Sequence, residues 1–350
     1  MKKPEIKINF LYYGTPFDFE KNFIVKLLKK RYKVIFSGKP DYVFFSVYKN
    51  NNKFLLEDGS VKVFEESEKS KENLLKKIYQ KMLEKDFVKG IIWFLRDRKI
   101  LKPYAKILDV KGDFVKIFYS AESIKPDMSK CDWAFASDYE SDLNHPRYMR
   151  VPPYMVSGDH FDLVKKKQNF NQIKKGKTKF CNFIYNNHVP LRNKLFRQIS
   201  KYKRVDSPGT CMNNMSPIGS YKNPNESRSS GDWMEEKLEF ISEYKFTIGV
   251  ENKISSGYVT EKFIDAMLIN SIPIYIGHKD INKEFNTKSF INFHDFKNMK
   301  DFIDYIIKVD KDDQLYEKIL KEPWLNQNKP SLWMEEERLL KRFEEIFKKD

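Results

Sequence analysis

Two cationic side chains each stand at the start of a predicted helix, and together they suggest a site for an anionic ligand. Lys262 follows Thr260, a favourable helix N-cap, and Arg192 precedes a helical pattern of apolar residues. The first turn of a helix presents unpaired N–H groups and the positive end of the helix dipole. A guanidinium can hold two phosphate oxygens at once, whereas an ammonium acts as a point charge. The helix start that carries Glu261 and Lys262 therefore predicts a phosphate site, and Arg192 also lies near a helix start.

The segment 244–277 contains the elements that would position this lysine. Phe246–Val250 is a short apolar run that suits a buried strand, and Ser255–Gly257 has the composition of a loop. The apolar residues that mark one face of the following helix are Phe263, Ile264, Met267 and Leu268. After the helix, Ile272–Ile276 predicts a second strand. The segment is thus predicted as strand, loop, helix and strand.

Several runs of this segment resemble the donor motif of the GDP-fucose-dependent α1,3/4-fucosyltransferases in their bacterial form. The runs are Val250-Glu251-Asn252, Tyr258-Val259-Thr260-Glu261-Lys262 and Ile272-Pro273-Ile274-Tyr275-Ile276-Gly277, followed by Phe285-Asn286 and Ser289-Phe290-Ile291-Asn292. The family usually has Phe where this chain has Val250, a change that affects packing more than charge.

Two stretches outside this motif are also similar to the family. Phe183–Phe196 looks like the strand, turn and helix that deliver a phosphate-binding arginine, here at the position of Arg192. Cys131–Phe135 and Pro146–Tyr154 look like the segment that leaves the first domain. The resemblance is nearly continuous over residues 114–325 and weak before them, as expected if the early part meets an acceptor that differs among members.

The resemblance implies transfer of L-fucose from GDP-fucose to an oligosaccharide hydroxyl, the 3-hydroxyl of N-acetylglucosamine or glucose, with inversion at the anomeric carbon. The donor-binding residues that it carries over are Arg192, Asn252, Tyr258, Glu261 and Lys262. Such a displacement needs a base for the incoming hydroxyl and positive charge for the departing GDP. Neither demand requires a metal or another cofactor, and none is expected. Glu251 is assigned a structural role instead.

The predicted catalytic base is Glu122. It lies just past a predicted strand, where open α/β sheets place residues that face a ligand, and it matches the glutamate of the family's Gly-Glu-Asn triplet. Here the triplet reads Ala121-Glu122-Ser123, so both flanking residues differ from the family pattern. Without the resemblance, Glu122 would be taken for an ordinary exposed loop glutamate.

The chain alternates predicted strands and helices, which indicates the α/β class. The early strands are predicted at 6–12, 34–36, 42–45 and 114–118, with helices at 23–28 and 71–86. A basic, polar run over 164–179 suggests an interdomain linker. The prediction is two facing Rossmann-like domains of GT-B type: 1–163 for the acceptor, 180–325 for GDP-fucose, and a helical tail over 326–350.

The tail has an amphipathic pattern with Leu339, Leu340, Phe343, Ile346 and Phe347 on one side. Two placements are open: docking on the protein body, which is favoured, or contact with a lipid surface. Truncation before Trp333 would separate them, because only a docked helix contributes to the melting temperature.

The formal net charge of +16 comes from 65 basic residues, of which only 11 are Arg. Dispersed, Lys-rich charge favours a solvated surface, with attraction to an anionic membrane less favoured and nucleic-acid binding least. The three cysteines are far apart and suggest neither zinc nor disulfides. Without a signal-like or membrane-spanning segment, a cytoplasmic enzyme is expected, with peripheral contact to the cytoplasmic membrane as an option.

Two motifs that could suggest a metal are set aside. Asp310-Lys311-Asp312 has the spelling of a DxD motif, but it ends an amphipathic helical pattern and is interpreted as a solvated helix terminus. The histidines show no ligand spacing. Only His188, in the turn before Arg192, is expected near the nucleotide.

Two other functions remain open at this point. One is a transferase that uses a different GDP-sugar in the same cleft. The other, from a different class, is a basic nucleic-acid-binding or surface-binding protein that retains an inactive nucleotide fold. The joint presence of Glu122, Arg192, Glu261 and Lys262 disfavours the second.

Overall fold

The structure is a computed structural model that describes residues 2–11, 13, 22–47, 53–55, 61–63, 107, 110–157, 163–164, 170–219 and 231–348. These residues form two parallel sheets, each flanked by helices, together with a short antiparallel pair. The α/β class is therefore confirmed. The predicted helix over 71–86 and residue Tyr12 lie outside the described residues.

The first sheet has six parallel strands in the order β2-β1-β3-β6-β7-β8. They are β1 (Glu5–Leu11), β2 (Lys33–Phe36), β3 (Tyr42–Phe45), β6 (Val115–Tyr119), β7 (Trp133–Ala136) and β8 (Tyr148–Arg150). The antiparallel pair is β4 (Lys53–Leu55) with β5 (Val61–Val63). Helices α1 (Phe23–Leu28) and α2 (Glu140–Leu143) belong to the same part of the chain. Every residue of β3 is buried, as expected for a parallel strand covered on both faces.

The second sheet has five parallel strands in the order β10-β9-β11-β12-β13. They are β9 (Lys179–Asn182), β10 (Val205–Asp206), β11 (Tyr244–Val250), β12 (Ile272–Ile276) and β13 (Ile291–Asn292). The helices are α3 (Phe170–Gly176), α4 (Pro190–Ile199), α5 (Gly231–Ser242), α6 (Glu261–Leu268), α7 (Met299–Lys311) and α8 (Asp313–Lys321). The strand order reverses between β9 and β11, and such a switch point opens a ligand crevice at the carboxyl edge of the sheet.

The predicted strand, loop, helix and strand over 244–277 are confirmed as β11, α6 and β12. The Thr260 side chain caps α6, accepting from the Lys262 N–H at 3.4 Å. The predicted apolar face of this helix is buried except for the partly buried Leu268. Within the predicted linker, residues 170–176 form helix α3.

The tail contains α9 (Glu336–Ile346), which packs on the first sheet although it follows the second in sequence. The Phe343 ring lies 6.0 Å from Phe44 and 5.2 Å from Phe135, centroid to centroid. Phe347 contacts Tyr42 in the same way at 4.5 Å. The favoured placement of the tail, docked on the protein body, is confirmed. Among the described residues, no helix combines the length and apolarity needed to cross a bilayer.

The two sheets share one apolar cluster, so the domains are packed together rather than merely linked. After β8, Tyr154 packs edge-on against Phe285 of the second domain, with ring centroids 5.7 Å apart. The backbone N–H of Tyr154 donates to the carbonyl of Val259, just before α6, at 3.1 Å. The first domain therefore contacts the segment that leads into the predicted phosphate site.

Candidate functional site

Arg192 lies in the first turn of α4, where it reaches the carboxyl end of β11. Its side chain is almost fully buried, and Nη2 donates to the Val250 carbonyl at 2.8 Å and to Asn252 Oδ1 at 2.7 Å. Nη1 donates to the Asn187 carbonyl at 3.1 Å. Three of the five N–H groups are used in these bonds; within the described part of the chain Nε has no acceptor, and the second Nη1 hydrogen is also left for a ligand oxygen.

Aromatic residues support this guanidinium. Its carbon lies 3.7 Å from the centroid of the Tyr185 ring, a cation–π contact. Burial lowers the pKa of Arg192, and Tyr185 and Tyr258 are among the neighbouring groups that oppose this shift. Tyr258, which follows the loop 255–257, is itself buried, so it can help to shape the site from the side of this loop.

Glu251 binds Thr260, the residue that caps the N-terminus of α6. Its buried carboxylate accepts from the Thr260 N–H at 2.8 Å and from the Thr260 hydroxyl at 2.9 Å. Burial raises the pKa of Glu251, and the positive charge of Lys262 opposes this only in part. Glu251 therefore fixes the N-cap residue, in agreement with the structural role predicted for it.

Lys262 and Glu261 form an ion pair at the first turn of α6. Lys262 Nζ lies 3.0 Å from Glu261 Oε1 and 3.1 Å from Thr260 Oγ1. Burial lowers the pKa of Lys262, but Glu261 and Glu251 raise it above the ordinary lysine value overall. Burial raises the pKa of Glu261, but Lys262 and Lys237 lower it to about 2. Both groups are therefore charged at neutral pH, although the like charge of Arg192 opposes the rise in the pKa of Lys262.

A second ion pair, which was not predicted from the sequence, joins α5 to α6 close to the first pair. Lys237 of α5 donates to Asp265, one turn after Glu261 in α6, and both residues are buried. Ile184, Tyr185 and Lys262 line the same small cavity as this pair. Lys237 comes from a distant helix in a Lys-rich chain, so nothing in the local sequence distinguished it from a surface lysine.

Glu122 stands apart from these residues, on the first domain. It is half-buried in the loop after β6, and its N–H donates to the Ser120 hydroxyl at 3.1 Å. The hydroxyl of the next residue, Ser123, forms a hydrogen bond with that of Ser255 in the loop before α6. The loop that carries the predicted base therefore touches the loop that carries the predicted donor contacts.

The structure thus gathers five predicted residues, Arg192, Asn252, Tyr258, Glu261 and Lys262, around the carboxyl edge of the second sheet. Their roles remain predictions. His188 lies in the turn before α4, with Nδ1 3.1 Å from the side-chain nitrogen of Asn193, and its proximity to the nucleotide stays a prediction.

The DxD-like residues lie elsewhere in the second domain. Asp310 was predicted to be solvated, and this is wrong. Its carboxylate is buried and accepts from Lys245 at 2.8 Å and from Tyr202 at 2.9 Å. Asp312 caps α8 through Gln314 and Leu315. Over the described ranges, no cluster of three or more His, Cys, Asp or Glu side chains could hold a metal ion.

Two facing α/β domains with parallel sheets are the architecture of the GT-B class of glycosyltransferases. A crystal structure of an alpha1,3-fucosyltransferase with GDP-fucose has the same fold, with a TM-score of 0.67 and 22% sequence identity. The match covers 100% of this chain and 92% of that one.

Family models identify the chain more closely. The glycosyltransferase family 10 (fucosyltransferase) C-terminal model matches residues 173–343. The alpha-(1,3)-fucosyltransferase FucT N-terminal domain matches residues 8–94 and 104–157. The chain belongs to glycosyltransferase family 10, as the resemblance indicated.

Curated relatives match parts of the chain. An Acanthamoeba polyphaga mimivirus protein named as a fucosyltransferase is 40% identical over 159 residues, 45% of this chain and 26% of the relative. The alpha-(1,3)-fucosyltransferase FucT of Helicobacter pylori is 30% identical over 226 residues, 55% of this chain and 43% of the relative. The matches thus cover less than half the length of these relatives.

Proposed function

We propose that this protein is an inverting fucosyltransferase that moves L-fucose from GDP-fucose to a hydroxyl of an oligosaccharide, forming an α1,3 linkage. One observation carries the proposal: Arg192, in the first turn of α4, and Lys262, in the first turn of α6, both lie at the switch point of the second sheet, where the strand order reverses between β9 and β11. Membership of family 10 and the FucT relative support the choice of donor and linkage.

The two cations suit the charge that develops on the departing GDP. As the bond between the anomeric carbon and the phosphate oxygen breaks, the electron pair leaves with GDP. The ammonium of Lys262, the Arg192 guanidinium and the N-terminus of α6 all favour this negative charge. Glu261 keeps the net charge of the pocket moderate, and its side chain is 39% exposed, so it remains accessible to sugar hydroxyls.

Glu122 is proposed as the base that takes the proton of the acceptor hydroxyl. The oxygen then attacks the anomeric carbon from the side opposite GDP, which inverts its configuration. The position of Glu122 on the first domain supports this role, because the donor residues lie on the second domain. The acceptor, proposed to be N-acetylglucosamine or glucose at its 3-hydroxyl, would bind between them, and no metal or cofactor is invoked.

The test is to incubate the protein with GDP-fucose and a panel of disaccharides, and to detect the product by mass and its anomeric configuration by NMR. Glu122→Gln should lower kcat by about 10²–10⁴-fold with little change in GDP affinity. The matched control is Asp127→Asn, which removes an exposed carboxylate from the same loop. Unchanged turnover in Glu122→Gln would show that Glu122 is not the base. The absence of fucosylated product with every acceptor would contradict the proposed activity.

The alternatives give different outcomes. A transferase for another GDP-sugar would bind GDP but prefer a different donor in a donor panel. A nucleic-acid-binding protein would bind RNA with an affinity that falls steeply with salt, because counterions are released from the phosphate backbone. A cytoplasmic location with peripheral attraction to anionic membranes also remains a proposal, supported by the net charge of +16. Sedimentation with anionic and neutral vesicles tests the membrane part.

A further inference from the structure

We propose that the first domain builds part of the donor site by holding the loop 255–257, and that Arg150 is the positioning residue in this contact. We call the contact the interdomain clasp; it joins Ser123, Ser137, Asp142 and Arg150 of the first domain to Ser255, Ser256 and Gly257. The inference rests on the proposed function, because the loop that is held leads directly to Tyr258 and α6.

Three consecutive loop residues are held from the first domain. The Ser255 hydroxyl bonds to that of Ser123, and the Ser256 hydroxyl donates to the Asp142 carboxylate. The Gly257 carbonyl accepts from Arg150 Nη2 at 2.8 Å. Each of the residues 255–257 in the loop before α6 is therefore bonded to the other domain.

The orientation of the Arg150 side chain is tightly constrained by its neighbours. Its side chain is fully buried, and Nε donates to the Ser137 carbonyl at 2.9 Å. Nη2 also forms an ion pair with Glu284 of the second domain at 2.7 Å. The guanidinium carbon lies 4.4 Å from the ring centroid of Tyr139 and 4.8 Å from that of Trp333. Contacts on its edge and its faces fix the guanidinium in the orientation that reaches the loop.

Glu284 is equally constrained. One of its oxygens accepts from the Tyr154 hydroxyl, and the other lies 3.3 Å from the Tyr139 hydroxyl. A buried ion pair is weak evidence for stability, since the desolvation of both charges offsets their attraction. Its consequence here is orientation: the pair holds the cation against a carbonyl of the predicted donor loop.

Gly257 shows how closely the two domains approach. Its φ of +60° lies in the left-handed region that favours glycine. A Cβ at this position would lie 2.1 Å from the Ser137 carbonyl oxygen and 2.6 Å from Arg150 Nε. A side chain would therefore push the loop away from the first domain, so the clasp and this glycine depend on each other.

Residues of both domains would therefore determine the affinity for the donor. The loop continues from Gly257 into Tyr258, and the Val259 carbonyl is bound by the Tyr154 N–H at 3.1 Å. Releasing the clasp would displace Tyr258 and the start of α6 without removing any side chain that contacts the donor. We expect weaker GDP binding and a higher KM for GDP-fucose, with a smaller change in the acceptor KM.

Two variants release the clasp by different routes. Arg150→Met combined with Glu284→Gln removes both buried charges, so no unpaired ion is left, but it also removes the bond to Gly257. Gly257→Ala keeps the ion pair and blocks the close approach. The control is Lys245→Met, which removes a partly buried ion pair and a cation–π contact at the opposite end of β11. All are measured for melting temperature, GDP affinity by calorimetry, and KM for each substrate.

Both clasp variants should weaken GDP binding by about tenfold or more, because part of the binding free energy would then be used to order the released loop. Lys245→Met should lower the melting temperature and leave GDP affinity unchanged. GDP affinity within about twofold of wild type in both clasp variants would overturn the inference alone. A wild-type protein that binds no GDP would overturn the proposed function, and the inference with it.

Discussion

The Arg192 guanidinium lies against the face of Tyr185, with its carbon 3.7 Å from the ring centroid. Tyr185 is itself fixed, because its hydroxyl donates to the Ile248 carbonyl at 2.6 Å and accepts from the Val250 N–H at 2.7 Å. Arg192 donates to the Val250 carbonyl in turn. The end of β11 therefore holds both the cation and the ring that supports it, and the planar shape of the guanidinium is used as well as its charge.

Arg192→Lys should for this reason lower kcat/KM by about 10²–10³-fold, although the charge is retained. An ammonium cannot lie flat on Tyr185 while reaching several acceptors. Initial rates at varied GDP-fucose measure the effect. Arg197→Lys, an exposed position on the same helix, is the matched control and should behave as wild type. Equal activity of the two variants would show that only charge matters at position 192.

Thr260→Ala should destabilise the protein by about 1–3 kcal/mol, because it removes an N-cap and a hydrogen-bond partner of the buried Glu251 carboxylate. Thr260→Ser retains the hydroxyl and should recover most of the stability. Urea denaturation measures both variants. If serine and alanine were equally destabilising, the methyl group rather than the hydroxyl would be the important feature.

Glu261→Gln should change the acid dependence of stability. The folded-state pKa of Glu261 is lowered to about 2, against an ordinary value of 4.5, so its ionised form stabilises the fold. This contribution is fully present above pH 4.5 and is lost as the pH falls toward about 2. In this window the unfolding free energy of the wild type should fall more steeply than that of the variant. Parallel curves from urea denaturation would contradict the lowered pKa.

Phe343→Ala should destabilise the protein by about 3–5 kcal/mol, because it empties a fully buried site between α9 and the first sheet. Lys341→Ala, at an exposed position of the same helix, should change stability by less than about 0.5 kcal/mol. The unfolding free energy of each variant measures the difference. A small loss in Phe343→Ala would mean that the tail contributes little to the core.

The truncation before Trp333 extends this prediction to the whole helix. It should lower the melting temperature strongly, since Leu339, Leu340 and Ile346 are buried in the same cluster. Trp333 itself donates to Glu140 at 3.0 Å, which ties the start of the tail to the first domain. An unchanged melting temperature would contradict the docked position.

Features encoded within a few neighbouring residues were predictable from the sequence alone. The apolar runs of β11 and β12, the cap at Thr260 and the apolar face of α6 are local patterns, and the structure reproduces them. The same holds for the tail, whose helical spacing marks the residues that are buried. Family membership followed from such a local string as well, because the donor motif is nearly continuous in sequence.

Only the tertiary structure decided which distant residues meet. Arg150 and Glu284 are 134 positions apart, and Lys237 and Asp265 are separated by 28. An isolated arginine in an apolar strand such as β8 was a signal of a buried charge that could have been noticed. No comparable signal in the sequence marked its partner, Glu284. Hydrophobic periodicity and capping depend on the nearest few residues, whereas ion pairs form only after folding has brought two elements together and excluded water. Sequence therefore determined the elements and the motif, and packing decided how one domain holds the loop of the other.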